Sequence, residues 1–445
     1  MLKNLHSLGY EQMTEIQEMS LPHTLSNKDL IAKAKTGSGK TAAFGISLLT
    51  KLNVKRFRIQ GLILCPTREL SDQVAKELRR LARFTHNIKI LTLCGGVPFG
   101  PQAHSLSHGA HIIVGTAGRI LKHLGENNLN LDDVHTLVLD EADRMLDMGF
   151  NEDIMKIVDE VPSDRQTLLF SATYPDQIQD LSSSIMKNPI EVSVDSGHDE
   201  QTIQQHFYET IPNSKTAALG ALISNFKAKS VVMFCNTKIM CDDLADDLYD
   251  LGFDCLVLHS DLDQRDRNET LVMFANKSYP ILIATDVAAR GLDIKDIDLV
   301  INYDLALDPE VHVHRIGRTA RAGAQGVAVT LVNEYENEKF EDLMDYLDQD
   351  FKLENITDVA DDINYKLQSS WTTLFINGGK KKKVRAGDIL GALTRNVGLD
   401  KDDVGKIDIF EHCSYVAIKN EVADKSVKGL EEGKIKGRFF RVFKK

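Results

Sequence analysis

The sequence predicts an α/β protein: two tandem parallel-sheet domains followed by a small α+β domain. Three observations predict it. Short β-rich apolar runs alternate with helix-length segments twice over, before and after a polar stretch near residue 196, and such alternation builds parallel sheets covered by helices. The first block opens with Ala34-Lys35-Thr36-Gly37-Ser38-Gly39-Lys40-Thr41, after the apolar run Leu30-Ile31-Ala32 and before a helix-like run at 42–49. That is the strand, Gly-rich turn, helix order of a phosphate-binding P-loop. Residues 371–445 read β-α-β-β-α-β and reverse the charge, with 17 Lys and Arg against 10 Asp and Glu, whereas the preceding 370 residues carry −19 of a total −12. The boundaries that follow are a first domain at 1–195, a linker at 196–203, a second domain at 204–350, a connector at 351–370 and the tail domain at 371–445.

Bulk composition narrows the class. With 42% hydrophobic and 27% charged residues, the chain has the makings of several soluble cores. Six cysteines (Cys65, Cys94, Cys235, Cys241, Cys255, Cys413) lie far apart with no CxxC pair, so they read as free thiols of a reducing compartment and not as a disulfide or zinc framework. Without an apolar leader or a membrane-length apolar run, the expectation is a cytoplasmic protein with no membrane partner, monomeric by default. The acidic total argues against nucleic acid, yet a basic tail on an acidic body is itself a partner signal.

The first thirty residues look helical up to the turn Ser26-Asn27-Lys28-Asp29. Gln17, in Met13-Thr14-Glu15-Ile16-Gln17, is a candidate adenine reader because an amide pairs with the N6/N7 edge; a lone Gln on a helix is more often solvated surface. In the P-loop, backbone N–H groups of Thr36, Gly37, Ser38 and Gly39 would cradle phosphate oxygens, Lys40 would reach the β- and γ-phosphates, and the Thr41 hydroxyl would ligate Mg²⁺. Ala34 stands where the general pattern opens with Gly. Runs at 62–64, 89–93, 112–114 and 137–139 read as strands, and 74–84 as an amphipathic helix. Ligands in such sheets sit at the carboxyl ends of strands. There the sequence places Pro66-Thr67-Arg68-Glu69-Leu70, Gly95-Gly96 and Thr116-Ala117-Gly118-Arg119. Asp140-Glu141-Ala142-Asp143 follows the fourth run: Asp140 suits an Mg²⁺ anchor, partly through water, and Glu141 a base that positions the attacking water. Taken alone, the same acidic cluster would suit the first turn of a helix.

Together these residues resemble the DEAD-box family of RNA helicases. Its nucleotide-side elements recur as AKTGSGKT, DEAD and Ser171-Ala172-Thr173, and its RNA-side elements as PTREL, Gly95-Gly96 and Thr116/Gly118/Arg119. The resemblance implies RecA-like domains that use ATP and Mg²⁺, with Lys40 and Glu141 catalytic and with Ser171 and Thr173 coupling nucleotide state to strand separation. It further implies that Arg68, Gly96, Thr116, Gly118 and Arg119 grip RNA phosphate and ribose instead of base edges. The family usually has Pro where Glu15 and Ala117 stand. It also carries an adenine-stacking aromatic upstream of the Gln, and counting back from Gln17 runs off the chain. The expectation is weaker ATP affinity than in a form extended by such a segment.

In the second domain, strands are expected at 230–235, 255–259, 281–284 and 299–301, and a helix at 238–251. No second P-loop occurs, so this domain binds no nucleotide of its own. Gln264-Arg265-Asp266-Arg267 resembles the family's QxxR element, with Arg267 on RNA phosphate. The segment from Thr285 to Asp293 resembles its ATDvaaRGLD element, with Thr285 facing RNA and Gly291 and Asp293 facing the ATP ribose. Ser260 replaces a usual Gly after His259. Spacing of three then puts Arg315, Arg318 and Arg321 on roughly one helical face. That face is either solvated or the source of an arginine finger, worth about 10³–10⁵ in rate; the resemblance assigns Arg318 and Arg321 that role. A P-loop in one domain and fingers in the other would make ATP a bridge, and RNA across both domains would favour the same closed state, each ligand tightening the other. A closing helix is expected at 333–350.

The tail should place strands at 373–376, 406–410, 414–419 and 438–443 and helices at 386–396 and 422–432, the order of an RNA-recognition motif (RRM). Phe375 falls on its open face and Tyr415 at a second stacking position, with Cys413 at the other. Lys380, Lys381, Lys382, Lys383 and Arg385, with Lys434, Lys436, Arg438 and Arg441, offer electrostatic RNA contacts. The phrase Gly378-Gly379-Lys380…Arg385-Ala386-Gly387-Asp388-Ile389-Leu390-Gly391-Ala392-Leu393-Thr394 resembles the tail of the DbpA-type subfamily. That resemblance implies targeting to the peptidyl-transferase hairpin region of 23S ribosomal RNA during large-subunit assembly. The reading is an ATP-dependent RNA helicase tethered by its tail, against two rivals. A DNA-directed translocase would be activated equally by DNA, and a non-enzymatic RNA clamp would still act as a Lys40→Ala protein.

Overall fold

The computed structural model describes every residue except 1, 35–36, 175, 195–202, 211–214, 290–296, 320–325, 360–364 and 366. All but one residue of the expected linker at 196–203 therefore lies outside the described residues. Two parallel seven-stranded sheets and one antiparallel four-stranded sheet form the protein, as the sequence predicts.

The first sheet holds β1 (Leu30–Lys33), β2 (Gly61–Leu64), β3 (Ile90–Leu93), β4 (Ile112–Gly115), β5 (Thr136–Asp140), β6 (Gln166–Ser171) and β7 (Ile190–Ser193), in the order β3-β4-β2-β5-β6-β1-β7. Strands β2, β4, β5 and β6 are buried along their whole length because helices cover both faces, which is why their centres read as apolar runs. Alternate side chains feed two cores: Leu62, Leu64, Leu137 and Leu139 on one face, Ile63, Val114, Val138 and Phe170 on the other. The strand order sorts the motifs. β5, β6 and β1 are neighbours, so the acidic cluster, the Ser171–Thr173 segment and the P-loop emerge side by side. β3, β4 and β2 are also neighbours, so Gly95-Gly96, Thr116 to Arg119 and Thr67-Arg68 emerge together on the other half.

The second sheet holds β8 (Ile203–Thr210), β9 (Val231–Cys235), β10 (Cys255–Leu258), β11 (Ile281–Thr285), β12 (Leu299–Asn302), β13 (Gly326–Asn333) and β14 (Leu353–Asn355), ordered β10-β11-β9-β12-β13-β8-β14. Strand β14 corrects the expectation of a bare connector at 351–370, because it pairs with β8 at the sheet edge. Beyond it Leu367 joins the domain core, and the Tyr365 hydroxyl donates to the Ala228 carbonyl at 2.9 Å.

Inside this domain His312 is wholly buried. Its Nε2 donates to Gln205 Oε1 at 3.0 Å, and its Nδ1 receives Asn302 Nδ2 at 3.4 Å. Burial, reinforced by Arg315, pushes its pKa down to about 3. The folded protein thus holds the neutral ring while the unfolded chain takes up a proton below about 6.5. The resulting stability is fully present above that pH and drains away as pH falls towards 3. Thermal unfolding followed from pH 7.5 to 4.5 should show a falling Tm, and His312→Gln should flatten the fall. An unchanged pH profile in the variant would refute the assignment.

The tail sheet comprises β15 (Trp371–Ile376), β16 (Val404–Ile409), β17 (Ser414–Lys419) and β18 (Val442–Lys444), ordered β16-β17-β15-β18. Its helices, from Ala386 and over Ala423–Glu432, cover one face, where Leu374, Ile376, Val416 and Ile418 pack with Ile389 and Leu430. The opposite face lies on the helix Gln264–Ala275 of the second domain, with which the tail forms one compact unit. Phe375 and Tyr415 pack against Val272, and the Tyr415 hydroxyl donates to Glu269 Oε2 at 3.0 Å. The Thr373 hydroxyl accepts from Asn276 Nδ2 at 3.1 Å and bonds to Ser278 Oγ at 2.6 Å. Lys445 completes the seam through an ion pair to Glu269. The open stacking face expected from the sequence is therefore covered: Phe375 is 8% and Tyr415 3% exposed.

Candidate functional site

The carboxyl ends of β1, β6 and β5 gather the nucleotide-side residues. Gly37 and Gly39 take φ of +91° and +96°, the left-handed region open to glycine. A Cβ on Gly39 would lie 2.4 Å from Gln17 Nε2, so the turn and the upstream helix Glu15–Leu25 are fitted to each other. Gln17 Nε2 donates to the Gly39 carbonyl at 3.1 Å, and its Oε1 accepts from the Thr14 N–H at 3.1 Å. The candidate base reader is thus tied to the P-loop through one amide and buried, not solvated. Lys40 opens the helix Lys40–Lys51, and its Nζ donates to the Ala34 carbonyl at 2.9 Å, spanning the loop from within. Thr41 follows in the same first turn. Thr36 lies outside the described residues.

Among the described residues, two buried polar atoms here have no hydrogen-bond partner: Ser38 Oγ and Asp140 Oδ1. Burial raises the Asp140 carboxyl to about 6, Lys40 pulls it down and Glu141 pushes it up again. An unpartnered carboxylate oxygen with a hydroxyl in the adjoining loop suits a hard divalent cation, which takes oxygen ligands and keeps several waters. Mg²⁺ fits these residues.

Glu141 adopts φ +53°, ψ +54°, a strained left-handed conformation for a residue with a Cβ. Its Oε2 is ion-paired with Arg144 Nη1 at 3.1 Å, both groups being almost fully buried. Asp143, the last acidic residue of the cluster, points to β6. Its Oδ2 accepts from the N–H groups of Ala172 and Thr173 at 3.0 Å each and from the Thr173 hydroxyl at 3.2 Å. The Ser171 hydroxyl in turn accepts from the Asp143 N–H at 3.3 Å. Sequence reasoning left Asp143 and Arg144 without a role, and the signal available for Asp143 was its place beside Asp140 and Glu141 in the acidic cluster.

On the other half of the sheet, Arg68 Nη1 donates to the Gly96 carbonyl at 3.4 Å and Arg119 Nη1 to the Val97 carbonyl at 3.1 Å. One loop thereby collects Arg68, Gly96 and Arg119. Thr116 precedes the helix Ala117–Gly125, and Gly118 is exposed in its first turn with open space where a Cβ would be. Gln102, absent from the sequence-based list, organises this cluster. It accepts from Arg119 Nη1 at 2.8 Å and from His123 Nε2 at 3.1 Å, and donates to the Cys94 carbonyl at 3.1 Å.

In the second domain Arg267 Nη2 donates to the Ala288 carbonyl at 2.6 Å, which brings the QxxR helix against the segment that starts at Thr285. Gly291, Asp293 and Arg321 lie outside the described residues. Of the arginines expected on one helical face, Arg315 and Arg318 do not share a helix, because it runs over Pro309–Ile316 and ends at Gly317. Arg315 is spent inside the domain on Asp286, Asn236 and the Asp304 carbonyl. Arg318 follows the helix end, its N–H donating to the Arg315 carbonyl at 3.2 Å. In the tail Lys381 and Lys382 are exposed, and Lys382 Nζ bonds to the Asn377 carbonyl at 3.0 Å.

Among the described residues no helix is long and apolar enough to cross a membrane and no His/Cys/Asp/Glu group gathers for a metal. All six cysteines are free thiols, and burial pushes Cys94 and Cys255 up to about 11.

Known proteins share this arrangement. Residues 14–181 match the DEAD/DEAH box helicase family model, 214–323 the helicase conserved C-terminal domain and 373–444 the DbpA RNA binding domain. The chain is 52% identical to the ATP-dependent RNA helicase DbpA of Escherichia coli (strain K12), over 99% of this chain and 96% of that protein. It is 38% identical to the ATP-dependent RNA helicase DbpA of Bacillus subtilis (strain 168), over 100% and 97%. Among solved structures, S. cerevisiae Dbp5 bound to RNA and ADP BeF3 matches with a TM-score of 0.72 at 29% identity, covering 80% of this chain and 93% of its own.

Proposed function

The chain belongs to the DEAD-box family of ATP-dependent RNA helicases and carries a DbpA-type RNA-binding domain, and from that premise we propose that it separates short RNA duplexes beside a structured ribosomal RNA held by its tail. The RNA we propose is 23S ribosomal RNA, in the peptidyl-transferase hairpin region, during large-subunit assembly. The observation that carries the catalytic part is the buried Asp140 carboxylate, whose Oδ1 has no hydrogen-bond partner among the described residues and which sits within the electrostatic reach of Lys40 and beside Glu141.

On this reading the N–H groups of the P-loop turn hold the triphosphate, and Lys40 exchanges the Ala34 carbonyl for phosphate oxygens. Asp140 and Thr41 would hold Mg²⁺, partly through water, and the ion would supply neutralising charge to the triphosphate. Glu141, braced by Arg144, accepts the proton of the attacking water. Arg318 and Arg321 donate to the charge that develops on the transferred phosphoryl, while Gly291 and Asp293 face the ribose. Asp143 links the water-activating segment to Ser171 and Thr173, so a shift at either is felt at the other. Arg68, Gly96, Thr116, Gly118 and Arg119 from the first domain, with Arg267 and Thr285 from the second, hold one RNA strand by its backbone. RNA and ATP favour the same closed state, and each tightens the other.

The test is the ATPase rate of the intact chain against RNAs of equal length: a 23S fragment spanning the peptidyl-transferase hairpin, unrelated hairpins, and the same sequences as DNA. Activation by the 23S fragment at the lowest concentration is expected. Equal activation by all RNAs would remove the ribosomal target, and equal activation by DNA would favour the DNA-directed alternative. Removing residues 371–445 is a poorer test, because it strips the cover from Val272 and Glu269.

A further inference from the structure

With Phe375 and Tyr415 closed against the helix Gln264–Ala275, the tail has lost the two rings on which an RRM sheet would stack bases. It nevertheless exposes two other rings. Phe440 and Val442 point into the tail core, which fixes the register of the C-terminal segment. Phe439, Arg441 and Phe443 consequently face outward, with Phe439 63% and Phe443 45% exposed. Phe443 sits on the edge strand β18 and stacks on Phe375 at 4.7 Å, at the rim of the covered face. Phe439 is the more open of the two, and Lys434 Nζ lies 5.2 Å from its ring centre.

An exposed phenyl ring by itself is ordinary. This one stands among cationic side chains. Lys434, Lys436, Arg438 and Arg441 surround it in sequence, all exposed. Lys436 Nζ donates to the Lys383 carbonyl at 2.7 Å, and the Asn377 N–H donates to the Arg441 carbonyl at 3.0 Å. Those two bonds hold the lysine loop at 380–383 and the strand end before it against the C-terminal segment that carries Phe439, with Lys436 also paired to Asp388 at 3.5 Å. A ring among cations is the composition that holds single-stranded nucleic acid, the cations on phosphates and the ring under a base.

We propose that Phe439 is a base-stacking platform of the tail, taking one unpaired RNA base while Arg438, Arg441 and the 380–383 lysines hold the flanking phosphates. The inference rests on the tail's role in RNA binding and names the surface that carries it. Phe443, at the rim, offers the next ring along the same track.

The experiment uses the full chain without nucleotide and a fluorescein-labelled RNA hairpin with a single-stranded extension, read by anisotropy over a range of salt. Phe439→Ala should raise Kd about tenfold or more, the loss of one base–aromatic stack. It should leave the slope of log affinity on log salt unchanged, because no phosphate contact is lost. Phe439→Tyr should bind as wild type. Arg438→Ala should instead lower that slope by roughly one unit. The exposed ring makes misfolding of these variants a minor concern, and the Tyr variant controls for it. A Phe439→Ala protein within twofold of wild type overturns the platform while leaving tail RNA binding intact. Loss of binding to anionic phospholipid vesicles with RNA affinity unchanged would also overturn it, in favour of a membrane surface. No change in Kd when the 380–383 lysines and Arg438 are all replaced would overturn the tail reading itself.

Discussion

Replacing Arg318 with Ala is expected to slow RNA-stimulated ATP turnover by about 10³- to 10⁵-fold, the range of an arginine finger. Phosphoryl transfer leaves little covalent work to the protein, so a guanidinium placed on developing charge carries a large share of the rate. Arg318 stands beyond the helix Pro309–Ile316, whereas Arg315, on that helix, is held by Asp286. Arg318 is nevertheless only 5% exposed, so the variant needs a control for folding. Arg318→Lys provides it, because the lysine keeps the stem and the charge but not the planar fork. The lysine protein should unfold at the wild-type temperature and remain slow, with nucleotide binding by a fluorescent ATP analogue little changed. Turnover within tenfold of wild type for both variants would remove Arg318 from the reaction and leave Arg321 as the finger to be tested.

Much of this was legible in the chain. Strands β2, β4, β5 and β9 are buried on both faces, so their centres are apolar runs that announce themselves. β8 reads IQQHFYET, with polar residues at exposed or half-exposed positions, and lacks that signal; β14 spans three residues and hides in a polar stretch. Lys40 and Asp140 are legible locally, one opening the helix after the Gly-rich turn and the other closing an apolar strand, whereas Ser171 and Thr173 come only from the family resemblance. Partners across the fold are legible in neither way. Asp143 meets Thr173 across thirty positions, and Gln102 meets Arg119 across seventeen, through a strand order that no single segment encodes. The left-handed turn at Glu141 is likewise set by the surrounding fold and has no local residue signature. Phe375 and Tyr415 were read for an open face because their own strands give no hint that a helix from another domain lies on them. One miss had an available cue: Gly317 is a natural helix stop, and it breaks the three-residue arginine spacing after Arg315.

Arg315 should therefore fail in the opposite way when replaced. Its side chain is fully buried, and its guanidinium grips Asp286 with both Nε at 2.6 Å and Nη2 at 2.7 Å. Nη1 donates to the Asp304 carbonyl at 2.6 Å and Nη2 also to Asn236 Oδ1 at 2.7 Å. Those partners follow β11, β12 and β9, so a single group ties together the carboxyl ends of three strands. Arg315→Ala leaves the Asp286 carboxylate without its cation and should destabilise the second domain by about 3–5 kcal/mol. Trp371, the one tryptophan of the chain, lies in the same compact unit and reports the transition in urea. Its midpoint should fall with little change in slope, since the area exposed on unfolding stays nearly the same. Arg315→Lys should recover little, because one ammonium cannot meet three separate acceptors in the geometry of a planar fork. Converting Asp286 as well, in an Arg315→Met/Asp286→Leu protein, should recover part of the loss, since the uncompensated charge goes with the cation. A loss below about 1 kcal/mol for the alanine variant would mean that water replaces the guanidinium without penalty, and that the buried knot is dispensable.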